Sequence, residues 1–265
     1  MDAWKDCRPE TENVDLLFTN KKNGTYNRMR RQELTMSGRC LIVGAGELRT
    51  SGIRVQQGDY VIAADGGYAY CRKLGLEPDL ILGDFDSLKG EGREELAGLA
   101  QNFPERILSL PAEKDDTDML AAIREGLKRG FRDYVIYGGL GGRLSHTIAN
   151  LQCLNYLREQ GARGYLVQDD GLVMLLKDET VSFPAEWKGY LSLFCFGERA
   201  EGVTIRNMKY LLDGALLTNS FPVGVSNEFI GKESSITVKK GTLLVIMEGS
   251  FCARTEYGQS AERKW

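Results

Sequence analysis

Histidine is nearly missing from this chain: among 265 residues, His146 is the only one. Cysteine occurs six times, at Cys7, Cys40, Cys71, Cys153, Cys195 and Cys252, but never as Cys-x-x-Cys. A zinc centre built from Cys and His therefore has no ligand set, and the wide spacing argues against a disulfide framework. Buried free thiols in a reducing cytoplasm are the expectation, and a cytoplasmic location goes with it. The opening Met1-Asp2-Ala3-Trp4-Lys5-Asp6 lacks the apolar core of a signal peptide, and no later stretch resembles a membrane span. No sign of charge dominates: 34 Lys and Arg stand against 37 Asp and Glu, a formal net charge of -3. Basic residues form no stripe interleaved with aromatics, which points away from nucleic acid. A serine nucleophile has no Gly-x-Ser-x-Gly elbow, and no glycine loop ends in the Gly-Lys-Ser/Thr of a Walker A sequence.

Apolar runs organise what is present. Residues 1–38 form a polar extension without a clear period, and 251–265 form a polar tail. Between 39 and 163, short apolar strands alternate with helical patterns. Cys40 to Val43, Tyr60 to Ala64, Leu80 to Leu82, Arg106 to Leu108 and Tyr134 to Tyr137 read as strands. Tyr68 to Leu74, Glu94 to Asn102, Asp118 to Lys128 and His146 to Arg158 read as helices. The expected fold is α/β, a mostly parallel sheet covered by helices on both faces. From 164 to 250 the pattern changes to short β-prone segments between glycine turns: 165–168, 173–176, 180–183, 190–196, 202–206, 234–239 and 243–247. An all-β antiparallel sandwich is expected there.

Carboxylates gather at the predicted strand and helix ends, in Ala64-Asp65-Gly66-Gly67, Gly83-Asp84-Phe85-Asp86-Ser87 and Lys114-Asp115-Asp116-Thr117-Asp118. Each acid in such a cluster makes the next harder to ionise, a cost that a hard cation such as Mg²⁺ offsets. Ligands of α/β sheets sit beyond the carboxyl ends of the strands, where these clusters fall. If the chain stays extended, Asp84 and Asp86 point the same way while Phe85 enters the core. A turn rich in Asp and Ser explains the same residues without a metal. Asp115 or Thr117 is placed to cap the helix that follows, and Asp118 lies where the dipole welcomes acid. Gly138-Gly139-Leu140-Gly141-Gly142-Arg143 joins a strand to a helix, as an anion cradle or a plain turn. His146 follows at once, as a cap, a hydrogen-bond donor or a general base.

In order and spacing, Ala64-Asp65-Gly66-Gly67, Pro78-Asp79-Leu80-Ile81-Leu82-Gly83-Asp84-Phe85-Asp86-Ser87, Lys114-Asp115-x-Thr117-Asp118 and Gly141-Gly142-Arg143-Leu144-x-His146 resemble the thiamine pyrophosphokinase family. The resemblance implies an α/β ATP- and Mg²⁺-binding catalytic domain over 39–163 and a thiamine-binding β-sandwich over 164–250. It implies transfer of pyrophosphate from ATP to the thiamine hydroxyl, giving thiamine diphosphate and AMP, in a homodimer with active sites at the subunit interface. By the same resemblance Asp84, Asp86 and Asp118 hold the metal, and with Asp65 and Asp115 they form the catalytic carboxylates. Lys114, Thr117, Gly141, Gly142, Arg143 and His146 fall at the ATP site. Tyr210, Ser226 and Asn227 fall at the thiamine site, although on residues alone Tyr210 reads as a sandwich aromatic and Ser226-Asn227 as a turn. The family's Gly-Gly-Arg-x-Asp-His departs here to Gly142-Arg143-Leu144-Ser145-His146, with serine in place of the acid. Two other readings stand beside this one: a pyrophosphokinase for another heteroaromatic alcohol such as a pterin, and a non-catalytic nucleotide- or thiamine-binding regulator.

Overall fold

Runs of apolar residues with no polar face must be buried on both sides, and Cys40, Leu41, Ile42 and Val43 are each 0% exposed. The computed structural model describes residues 18–19, 38–48, 53, 55–86, 90–111, 113, 115–168 and 171–249. Its elements begin with β1 (Phe18–Thr19), β2 (Cys40–Val43), β3 (Tyr60–Ala64), α1 (Gly67–Leu74), β4 (Leu80–Gly83), α2 (Glu91–Asn102) and β5 (Ile107–Ser109). Next come α3 (Asp118–Lys128), β6 (Asp133–Tyr137), α4 (Leu144–Glu159), β7 (Arg163–Gln168), β8 (Gly171–Lys177) and β9 (Thr180–Phe183). The chain then runs through β10 (Tyr190–Cys195), β11 (Arg199–Arg206), β12 (Leu212–Thr218), β13 (Gly224–Glu228), β14 (Ser234–Thr237) and β15 (Thr242–Glu248).

The amino-terminal half is a mixed α/β sheet covered by helices, and the carboxyl-terminal half is antiparallel β structure. The two share one ten-stranded sheet of order β13-β10-β15-β8-β7-β6-β2-β3-β4-β5. Strands from β7 through β5 in that order are parallel, and from β8 outward the pairing turns antiparallel. Residues 165–168, expected to open the sandwich, lie in β7 and pair parallel with β6, Tyr165 opposite Val135. The sheet thus runs unbroken through residue 163. A second, five-stranded antiparallel sheet has the order β1-β9-β14-β11-β12.

Alternation along the strands sorts the core. Cys40 and Ile42 face α3 and α4, where they meet Ala122, Ile123, Leu154 and Leu157. Leu41 and Val135 face the other way, into the layer that the second sheet closes with Phe183, Trp187, Val203 and Ile236. Val43, Ala63 and Ile81 are covered by Tyr68 and Cys71 of α1 and Leu96 of α2.

The amino edge of the parallel strands is tied by ion pairs. Asp59 accepts from Arg39 Nε at 3.0 Å, from the Arg39 amide at 3.1 Å and from the Gln56 amide at 2.8 Å. Asp79 accepts from the Val61 amide at 2.8 Å. Glu179, 2% exposed, pairs with Arg158 of α4 and Arg163 of β7, so the turn before β9 is fastened to the α/β half.

Candidate active site

At the opposite, carboxyl edge the strands end in a cleft of about 510 Å³. Strand β3 stops at Asp65, which takes a left-handed φ of 48° while its amide donates to Leu82 O at 2.7 Å. That bond holds the start of the β3–α1 turn beside the end of β4. Gly83 makes the approach possible, since a Cβ there would lie 3.1 Å from Asp65 Cα. Asp84 follows directly and also lines the cleft.

The extended geometry expected for Asp84-Phe85-Asp86 is not found. Phe85 has a φ of 60°, and the Asp86 amide turns back to Asp84 Oδ1 at 3.1 Å. Phe85 packs against the core of α1 and α2, as expected, but the reversal leaves Asp86 exposed and outside the walls of the cleft. The energy of a left-handed non-glycine residue is offset here by the packing of a partly buried phenyl ring.

Helix α3 brings the third cluster. Thr117 is its cap, with Oγ1 accepting from the Leu120 amide at 3.2 Å, and Asp118 occupies the first turn. Asp116, Thr117 and Asp118 line the cleft, and Asp115 does not. Lys114 and Ser87 lie outside the described residues.

The glycine loop closes the far wall. Gly138, at φ 63°, lies so near Gly44 that a Cβ would stand 2.4 Å from Gly44 O. Backbone bonds from Gly44 to Tyr137 O (2.8 Å), Gly46 to Gly138 O (2.8 Å) and Glu47 to Leu140 O (3.0 Å) zip the two loops together. Gly141, Gly142, Arg143 and His146 all line the cleft. Arg143 is the N-cap residue of α4 and makes no side-chain cap, so its guanidinium is not spent on the helix. The first-turn amides of such a helix favour an anion.

Three residues of this region were not singled out from sequence. Asn150, 8% exposed, donates from Nδ2 to Gly139 O at 2.7 Å and fixes the loop from inside α4. It lies one turn beyond His146 on the same helix face, which is the signal that was available. Glu47 Oε1 accepts from the Gly142 amide at 3.4 Å, a contact across 95 positions that no local pattern encodes. Asp116 stood inside the acidic run but carried no assigned role.

Tyr210, Ser226 and Asn227 are not walls of this cleft. They form a second locus on the antiparallel half. Asn227, 4% exposed, accepts from the Tyr210 amide at 2.9 Å and donates to Tyr210 O at 2.7 Å. This double grip holds Tyr210 with 59% of the residue exposed. Lys209 Nζ stands 5.8 Å from that ring, and Lys209 also pairs with Glu228. Ser226 has a φ of 59°, and its amide donates to Ser192 Oγ at 3.1 Å. Tyr210 is thus not a core residue, and Asn227 is more than a turn former.

The carboxylate oxygens of Asp65, Asp84 and Asp118 are hard donors that suit Mg²⁺, which is held by one or two carboxylates together with substrate phosphates. Among the described residues, no three His, Cys, Asp or Glu side chains converge tightly enough to hold an ion by themselves.

Residues 54–166 match the family model described as thiamin pyrophosphokinase, catalytic domain, and residues 178–243 match thiamin pyrophosphokinase, vitamin B1 binding domain. A thiamine pyrophosphokinase from Bacillus subtilis (strain 168) is 26% identical over 186 residues, 70% of this chain and 85% of that protein. The crystal structure of a thiamin pyrophosphokinase family protein from Enterococcus faecalis is 30% identical, with a TM-score of 0.67 over 80% of this chain and 100% of that one. The crystal structure of thiamine pyrophosphokinase from Bacillus subtilis, at 23% identity and a TM-score of 0.72, shares the fold over 80% of this chain and 100% of its own.

Proposed function

From the premise that this chain belongs to the thiamin pyrophosphokinase family, we propose that it transfers pyrophosphate from ATP to the hydroxyl of thiamine. The coarser statement, a pyrophosphokinase, follows from the family; thiamine as acceptor is our reading. The observation that carries it is the single cleft lined by Asp65, Asp84 and Asp118 on one side and Gly141, Gly142, Arg143 and His146 on the other. Acid that suits a cation faces glycine amides and a guanidinium that donate to phosphate oxygens.

In this reading Asp84 and Asp118 hold Mg²⁺, with Asp65 in the wall beside them and Asp86 and Asp115 at the rim. When bound, Mg²⁺ supplies charge neutralisation across the transferred phosphates. Arg143 and the first-turn amides of α4 orient the phosphate chain, Thr117 keeps Asp118 in place, and Lys114 adds a cation. The thiamine oxygen attacks the β-phosphorus, the bond from that phosphorus to the α–β bridging oxygen breaks, and AMP leaves. A carboxylate, Asp65 or Asp115, takes the hydroxyl proton. Catalysis of this kind rests on positioning and charge stabilisation.

Tyr210 presents an exposed ring, and an aromatic face attracts the cationic thiazolium. Because this locus stands apart from the cleft in one chain, we place the complete site between two copies. Tyr210 and the adjacent Leu211, both exposed, are the supporting observation, since exposed apolar residues mark interaction surfaces. A chain carrying Asp84→Ala mixed with one carrying Tyr210→Ala should recover part of the activity that each lacks alone; no recovery on exchange of subunits would count against the shared site.

The direct test incubates the protein with ATP, Mg²⁺ and thiamine and resolves the products by chromatography. Equal amounts of AMP and thiamine diphosphate are expected. Neither product, from folded protein that still binds ATP, would sink the reading.

A further inference from the structure

The cleft has a fourth carboxylate, and it is the one that the site does not need. Asp116 lines the same walls as Asp65, Asp84 and Asp118, two positions from the carboxylate at the start of α3. Four acids around one volume repel a polyphosphate. Asp116 is paired with Arg124, further along α3, with side chains 30% and 46% exposed. Arg124 in turn stands 5.9 Å from the ring centroid of Tyr156 on α4, a cation–π placement that restrains the guanidinium. Three elements therefore meet at this pair: the loop before α3, the body of α3 and the neighbouring α4.

We propose that Arg124 is a positioning residue for the cleft: it holds Asp116 and neutralises it, so that Asp116 adds no net charge to the cleft that a metal–nucleotide complex enters. The inference rests on the proposed Mg²⁺·ATP reading of the site. Its consequence is a pair of effects of opposite sign. Releasing Asp116 adds one negative charge beside the cleft, which attracts a bare cation and repels the anionic metal–nucleotide complex. For one unit charge beside a half-solvated site the expected change is about fivefold in each direction. A lesion of the fold would instead weaken both, and loss of a direct contact from Arg124 to phosphate would leave Mg²⁺·ATP binding weak even after Asp116→Asn.

The test compares the full chain with its Arg124→Gln variant and the double variant Arg124→Gln with Asp116→Asn. Isothermal titration measures Mn²⁺ alone and then Mg²⁺·ATP, and steady-state assays give KM for ATP and kcat. Thermal unfolding checks that each variant is folded; Arg124 is half exposed, so Arg124→Gln leaves the core intact. Expected are Mn²⁺ binding about fivefold tighter and Mg²⁺·ATP about fivefold weaker in Arg124→Gln, with KM moving more than kcat. Asp116→Asn in the same chain should reverse both. Parallel weakening, no change, or failure of Asp116→Asn to reverse the effects overturns the proposal, as does wild-type protein that takes up no Mn²⁺. If wild-type protein binds both ligands but forms no AMP with thiamine, the acceptor reading fails while the binding comparison still decides the role of Arg124.

Discussion

At the amino edge of the parallel sheet, Asp59 is held by Arg39 and Gln56, Asp79 by the Val61 amide, and Glu179 by Arg158 and Arg163. At the carboxyl edge of the same strands, Asp65, Asp84 and Asp118 line an open cleft with Arg143 and His146. Both edges spend acid, and the difference lies in burial. Asp59 and Glu179 have side chains 2% exposed, where a carboxylate survives only with a partner. The cleft acids are partly wet, where water screens them from one another. One edge uses acid to fasten strands and the other, in the function proposed above, to hold a ligand, so removing an acid should cost stability at one edge and rate at the other.

The largest effect expected is on rate. Asp84→Ala should lower kcat by about a thousandfold, on the scale of losing a transition-state contact of roughly 4 kcal/mol, with little change in melting temperature. Product formation and thermal unfolding measured on the same preparation check the split; a comparable loss of stability would blur the two edges.

Glu179→Ala should do the reverse. It leaves Arg158, with 14% of its side chain exposed, facing an empty pocket, and breaking such a pair costs about 3 kcal/mol. Denaturant unfolding reads that loss, and kcat of the folded fraction should stay near that of the wild type. An equal loss of kcat would show that the amino edge reaches the cleft.

Asn227→Ala probes the second locus. It removes three hydrogen bonds, two to Tyr210 and one from the Glu228 amide, and should cost about 1–3 kcal/mol of stability. We expect KM for thiamine to rise about tenfold while KM for ATP moves little, because the cleft does not contain this residue. Equal shifts in both constants would place Asn227 in a shared support and not in acceptor binding.

The smallest effect concerns pH. Burial pushes the Asp133 carboxyl above its ordinary value, with Arg163 and Arg39 pulling it partly back. A raised folded pKa means that the folded state holds the proton more tightly than the unfolded chain. Its contribution is complete below the ordinary value of 3.8 and is lost as pH rises through the folded pKa. Asp133→Asn should therefore flatten the fall in stability above that value and leave kcat alone; unfolding curves across the acid range decide it, and an unchanged slope would remove Asp133 from the account.

Much of this was legible because burial writes itself into composition. Tyr134 to Tyr137 is apolar throughout and lies within β6, while the range Asp118 to Lys128 matches α3, whose cap is Thr117 of the two candidates Asp115 and Thr117. Strands β12 and β13 escaped notice because they lie on sheet edges, where Asp213 and Gly214 break the apolar pattern of the first and Gly224, Ser226 and Asn227 that of the second. The parallel pairing of β7 was equally hidden, since apolar content does not reveal a neighbour's direction. At the site, the clusters at strand ends were readable, but the reversal at Phe85 and the grips of Glu47 and Asn150 are set by contacts distant in sequence.

The shared sheet has a practical consequence for anyone who would cut this protein in two. A fragment ending at residue 163 would stop where β7 begins, leaving β6 with a bare row of amides and carbonyls and Tyr134, Val135 and Ile136 uncovered along it. Such an edge recruits strands from other molecules. The catalytic half should consequently precipitate when produced alone, and extending it only through β8 would trade one open edge for another, since β15, the strand that covers β8, comes from the end of the described chain.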